Sequence, residues 1–160
     1  MGRDLALSAG MRNDSLVQRS LTERVIGCAI TVHKETGPGL LESVYKACLV
    51  IELKARGLEV ATECSLPLFY KGCQLEVGYR ADMIVDKAVV VEVKAVDTLA
   101  PVHQAQVITY LKLTGCPVGL LFNFNVPVLR HGIRRVEPRA MGDGTERQTD
   151  VEKESLWEGV

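Results

Sequence analysis

Tyr79-Arg-Ala-Asp-Met-Ile-Val-Asp-Lys-Ala-Val-Val-Val-Glu-Val-Lys94 is the stretch that decides the fold. Its two β-branched runs flank Asp86-Lys87, a separation short enough for a hairpin, so they read as adjacent antiparallel strands. Alternate strand residues share a face, so Val90, Glu92 and Lys94 point one way and Val89, Val91 and Val93 the other. A run this apolar reads as a central strand buried on both faces, where charge is costly unless paired or bound to a metal. Asp82 stands in mid-strand, where an acid has low β-propensity. Counting outward from the turn, Val85 opposes Ala88 and Asp82 comes opposite Val91, within one residue of Glu92; a slip of one residue swaps the face. If the faces agree, two carboxylates converge beside a lysine. Two carboxylates and water are how Mg²⁺ is usually held, with substrate phosphate completing its octahedron. Otherwise Glu92 and Lys94 read as a simple cross-strand ion pair or a solvated edge.

Upstream, Leu58 to Tyr70 joins Cys73 to Val85 across Lys71-Gly72, so with Ala88 to Val96 three antiparallel strands are expected. Downstream, a helix follows Asp97-Thr98, with Pro101 in its first turn and Gly115 past its last. Pro117 to Phe124 reads as a buried strand and Gly132 to Val136 as a short edge strand. The strand–helix–strand unit makes its two strands parallel. Two helices precede the strands. The capping box Ser20-Leu-Thr-Glu23 opens the first, whose inner face is Leu21, Val25, Cys28, Ala29 and Val32, ending at Gly37-Pro38-Gly39. The second runs from about Leu40 to Arg56, with Leu41, Val44, Tyr45, Cys48 and Leu49 inward. The order helix, helix, three strands, helix, strand gives a mixed sheet with helices on its faces.

The domain is expected over 20–136. Residues 1–19 read as a flexible arm. Residues 137–160 hold seven acids against three bases and only Leu156 and Trp157 as large apolar groups, and read as an acidic, disordered tail.

At 160 residues the chain is long enough for one domain with a real core, and 47% hydrophobic with 24% charged residues excludes a wholly disordered chain. No apolar run reaches the roughly 18 residues of a membrane-spanning helix, and Met1 to Asp14 carries no apolar signal region. The five cysteines form no C-x-x-C pair, and each has apolar neighbours. A reduced, cytoplasmic protein without a membrane partner is the expectation. Residues 1–136 carry sixteen bases against thirteen acids, which permits a DNA or RNA partner without demanding one; a homo-oligomer stays open. Neither a phosphate-binding loop nor a dinucleotide fingerprint is present. His33, His103 and His131 have no metal-ligand spacing and read as surface or capping residues, and no third group orients a Cys–His nucleophile pair.

Other polar residues fall near the same core. Glu42 in the first turn of the second helix complements the helix dipole, yet shares with Tyr45 a face bordering the buried stripe. Gln106 and Tyr110 lie four apart on the third helix, on the side of Val102 and Leu113, and inward polar groups imply partners. Arg130, His131, Arg134 and Arg135 near the last strand form either a solvated edge that deters strand pairing or a set of phosphate contacts.

Taken in order, these motifs carry a resemblance. Gly39, Glu42 and Tyr45 match the G-x-x-E-x-x-Y signature of the GxxExxY protein family. From about Leu21 to Val136 the chain resembles the PD-(D/E)XK nuclease superfamily. Asp82 looks like the acid of its second core strand and Glu92-Val93-Lys94 like the E-x-K of its third. Gln106-Val-Ile-Thr-Tyr110 is similar to the Q-x-x-x-Y motif of its exonuclease-like branches, while Ala81 stands where the superfamily name has proline. The resemblance implies an α/β fold with a mixed sheet, a restriction-endonuclease-like αβββαβ core and an extra N-terminal helix. It further implies a nuclease that uses Mg²⁺ or Mn²⁺ to hydrolyse phosphodiester bonds in DNA or RNA. Asp82 and Glu92 would hold the metal with the Val93 carbonyl, and Glu42 would bind it directly or through water. Lys94 would serve the attacking water and offset transition-state charge, and Gln106 and Tyr110 would orient nucleophile or phosphate. Arg130, Arg134 and Arg135 are the candidate substrate contacts. The alternative is a non-catalytic nucleic-acid-binding or assembly module that keeps the nuclease fold.

Overall fold

A computed structural model describes residues 3–138, with side chains from Asp14 onward. Helices α1 (Arg3–Thr36) and α2 (Glu42–Ala55) are followed by strands β1 (Val60–Leu66), β2 (Phe69–Tyr70), β3 (Cys73–Gln74), β4 (Tyr79–Val85) and β5 (Val89–Lys94). Helix α3 (Pro101–Thr114), β6 (Val118–Asn123), a 3-10 turn (Leu129–Gly132) and β7 (Ile133–Val136) complete the order. The main sheet runs β1-β4-β5-β6-β7. Its β5–β6 pair is parallel and its other neighbours are antiparallel. This is the expected α/β architecture: an αβββαβ core behind an extra N-terminal helix.

Alternation along β5 divides the core. Val89, Val91 and Val93 join Met83, Val85, Leu120 and Phe122 beneath the buried faces of α1 and α2. Val90 faces the other way, with Ile84, Leu121 and the Val107, Tyr110 and Leu111 side chains of α3. A strand covered on both sides is what its unbroken valine run requires. Gly119 on β6 lets α3 settle closely, because a Cβ there would collide with the Val107 side chain. Gly115 ends α3 in the left-handed conformation at φ 73°, as its place in the sequence leads one to expect. Among the described residues no helix is long and apolar enough to cross a membrane.

Several expectations are corrected. Helix α1 starts at Arg3, so the stretch read as an arm is helical from there and the Ser20–Glu23 box lies inside the helix. Once the packed turns beyond Leu21 nucleate, extension adds one backbone bond per residue fixed, and Ala, Leu, Met, Arg and Gln carry it. The buried stripe of α2 is Tyr45, Leu49 and Leu53, while Leu41 and Val44 are exposed. Val102 of α3 is also exposed. The long hairpin expected across Lys71-Gly72 is interrupted: β1 and β4 pair from Val60↔Val85 to Leu66↔Tyr79, and β2–β3 form a separate two-stranded tip. Pro67 cannot donate to a ladder. A Cβ at Gly78 would press on the Leu66 carbonyl, so no other residue fits there unchanged. His33 is buried, with Nε2 2.8 Å from the Val126 carbonyl, whereas His103 Nδ1 does cap α3 by accepting the Ala100 N–H. Cys73 is exposed. The sequence beyond Pro138, including most of the expected acidic tail, lies outside the described residues.

Candidate active site

The β4–β5 turn sets the site. Val85 pairs with Val89, not with Ala88, so the turn holds three residues, with Asp86 and Lys87 at φ 48° and 54°. Asp86 is locked by two bonds to Glu59: its Oδ1 accepts the Glu59 N–H at 2.8 Å and its own N–H donates to the Glu59 carbonyl at 2.9 Å. An aspartate tolerates this left-handed conformation better than most residues. The extra residue moves the register by one from the expected count. The ladder runs to Met83↔Val91, and just beyond it Asp82 meets β5 beside Glu92, its carboxylate taking the N–H of the next residue, Val93.

Asp82 is held from two sides. Its Oδ2 accepts the Val93 N–H at 2.9 Å, and its Oδ1 lies 2.9 Å from Lys46 Nζ. Glu92, only 3% exposed, has Oε1 at 3.1 Å from Lys94 Nζ, while its Oε2 is buried without a hydrogen-bond partner. Burial, and after it the negative charge of Asp82, pushes the Glu92 carboxyl from 4.5 up to about 7 against the opposing pull of Lys94. Beyond Lys94 the chain is pinned by the buried Asn123, whose amide bonds both the Val96 N–H (3.0 Å) and the Val96 carbonyl (2.8 Å). Lys94 thus ends a strand whose exit path is fixed.

Gln106 and Tyr110 do converge, but on backbone. The Gln106 amide donates to the Tyr110 hydroxyl at 2.5 Å, and that hydroxyl donates to the Arg80 carbonyl at 3.1 Å, two residues before Asp82. Burial first, and then the charge of Glu92, raises the Tyr110 hydroxyl to about 12, so it remains a donor at neutral pH. Tyr45 is buried: its hydroxyl donates to the Gly37 carbonyl (2.6 Å) and accepts the Leu40 N–H (3.1 Å), while its ring stacks on Phe124 at 4.5 Å. It ties down the glycine turn that leads into α2, including Gly39 at φ 96°. Glu42 is half-buried and makes no hydrogen bond or ion pair among the described residues. It stands one turn before Lys46 on the same helix face.

The arginines separate. Arg134 pairs with Leu121, itself paired with Glu92, and so occupies the α3 face in the same row, ~10 Å away across two strand spacings. Arg135 points to the opposite face, where it donates to Thr22 Oγ1 at 2.7 Å and bonds Glu137 at 3.1 Å. The structure does not bring Arg135 to the carboxylates. Exposed Arg130 contacts the neighbouring His131 ring.

Sequence reasoning missed Lys46 and Glu63. Lys46 Nζ lies 3.2 Å from Glu63, whose other oxygen is 3.0 Å from Arg80. The one available signal was the i+4 spacing of Glu42 and Lys46, which on most helices marks only a solvated pair.

Among the described residues no three His, Cys, Asp or Glu side chains stand close enough to hold a metal. The three expected acids, Glu42, Asp82 and Glu92, therefore do not form such a group by themselves. Two carboxylates still suit Mg²⁺ or Mn²⁺, hard ions that take one or two carboxylates and leave other positions to water and phosphate. The orphaned Glu92 Oε2 is an oxygen donor in want of a cation. Burial raises the thiols of Cys28, Cys64 and Cys116, which disfavours these three as nucleophiles.

A family model of the PD-(D/E)XK nuclease superfamily matches residues 19–136. No curated protein matches the chain. Among solved structures, one titled "Crystal structure of SSO0001" is similar at 20% identity and a TM-score of 0.48, over 72% of this chain and 55% of that one. The chain thus spans about half the length of that solved structure.

Proposed function

The chain belongs to the PD-(D/E)XK nuclease superfamily, and from that premise we propose that it is a divalent-metal-dependent nuclease hydrolysing phosphodiester bonds in DNA or RNA. The spacing of Gly39, Glu42 and Tyr45 supports, on the same reading, a place in the GxxExxY branch. The observation that carries the proposal is the gathering of Asp82, Glu92 and Lys94 at one point of the β4–β5 pair, with a buried Glu92 oxygen that has no partner among the described residues.

Asp82 and Glu92 would hold Mg²⁺ or Mn²⁺, which when bound supplies a Lewis-acid charge and a water of lowered pKa. The residues divide the remaining work. The Val93 N–H fixes the Asp82 carboxylate, so its orientation does not depend on the ligand. Lys94, at the mouth of the site with its side chain 16% exposed, would place its ammonium against the scissile phosphate and offset charge that grows in the transition state. Gln106 and Tyr110 would act on positioning, by clamping the Arg80 carbonyl and with it the strand that presents Asp82. Arg134 is the arginine best placed for a substrate phosphate.

Cleavage of labelled single- and double-stranded DNA and RNA in Mg²⁺ or Mn²⁺, beside a binding titration in Ca²⁺, tests the reading. Lys94→Ala should lose most of the cleavage and keep nearly all of the affinity, because a group that serves the transition state contributes little to ground-state binding. Lys94→Arg should not restore it, since a guanidinium differs in reach and never gives up its proton. Wild-type binding without any cleavage would leave the non-catalytic module as the correct reading.

A further inference from the structure

We propose that Lys46 is the resident counter-ion of the two-carboxylate site, an internal cation that a divalent metal must displace from Asp82, with Glu63 as the seat onto which it moves. The inference rests on the reading of Asp82 and Glu92 as metal-holding residues and adds to it two residues that no motif contains.

The geometry carries it. Lys46 reaches from α2 and divides its ammonium between Asp82 Oδ1 at 2.9 Å and Glu63 Oε1 at 3.2 Å. The contact with Asp82 is well shielded, with side-chain exposures of 22% and 10%, so solvent screens it less than an ordinary surface pair. A metal ion and an ammonium cannot share Asp82 without strong repulsion at such range. The carboxylate itself needs no help from the lysine, because its other oxygen is already fixed by the Val93 N–H.

Glu63 is built for a purpose of this kind. It lies in mid-strand at φ 50°, a left-handed conformation that is strained for a non-glycine residue. The β1–β4 ladder is paired on both sides, at Thr62↔Met83 and Cys64↔Ala81, but not at Glu63. The twist is therefore confined to the residue beside Asp82, and its carboxylate takes both Lys46 and Arg80. Held between two carboxylates, the Lys46 ammonium moves aside as a cation. With one acceptor vacated, the other keeps it paired.

The test is Mn²⁺ affinity of the full chain, read by calorimetry and by the paramagnetic signal of free Mn²⁺, without nucleic acid. Lys46→Met should bind Mn²⁺ more tightly on the order of tenfold, the equivalent of about 1.4 kcal/mol. Lys46→Arg, which keeps the charge, should stay near wild type. Glu63→Gln should bind severalfold more weakly, because Lys46 then has only Asp82, and this effect should vanish in the Lys46→Met background. If wild type binds and Lys46→Met binds equally or less well, the counter-ion role is wrong while the metal reading stands. A Glu63→Gln effect that persists without Lys46 overturns the seat. If neither wild type nor Lys46→Met binds Mn²⁺, both the metal reading and this inference fail.

Discussion

Replacing Glu92 by glutamine should flatten the pH dependence of stability. The Glu92 carboxyl is raised from 4.5 to about 7 in the fold, chiefly by burial and next by Asp82. A carboxyl with a raised native pKa binds its proton more tightly folded than unfolded. Its contribution is favourable below pH 4.5, is lost as pH rises from there toward about 7, and is level above. The full span corresponds to about 3 kcal/mol, of which about 2 kcal/mol falls between pH 5 and 7. Urea denaturation followed by far-UV circular dichroism at pH 5, 6, 7 and 8, without divalent metal, gives the stability at each point. Every other ionisable group is common to both proteins, so the difference between wild type and Glu92→Gln isolates Glu92. Wild type should lose stability relative to the variant across pH 5 to 7, and saturating Mn²⁺ should erase that loss by holding the carboxylate charged. A wild-type curve parallel to that of Glu92→Gln would refute the account of a buried carboxyl whose pKa is raised.

Asp82→Ala should be less stable than Asp82→Asn by roughly 1–3 kcal/mol, because both remove the charge but only alanine leaves the Val93 N–H without an acceptor; equal urea midpoints would deny that bond any weight. Tyr45→Phe keeps the ring stack on Phe124 and loses the bonds to Gly37 and Leu40, so it should cost about 1–2 kcal/mol. A thermal melt unchanged from wild type would show that the glycine turn holds without the hydroxyl.

The order of elements, the alternation along β5 and the candidacy of Asp82, Glu92 and Lys94 were legible from the chain alone, because helix and strand periods are local and a charge in a valine run stands out. The two-faced burial of β5 followed from the same run. What the tertiary structure decided depends on distant residues. The register that sets Met83, and not Asp82, opposite Val91 comes from a three-residue turn, and Glu59, far back in the chain, locks its left-handed Asp86. A count from the turn residues alone missed it by one. Lys46 and Asp82 are separated by 36 residues, and a helix lysine on a long flexible stem carries no sign in the sequence of which acid it will reach. Arg134 and Arg135 are neighbours in sequence with the same chemistry, yet strand alternation sends one to the row of Glu92 and the other to Thr22 of α1. Local spacing says which face a side chain takes. Only the packing of α2 against the sheet says which charges meet there, since that contact is set by the buried Tyr45, Leu49 and Leu53 and not by the charges themselves.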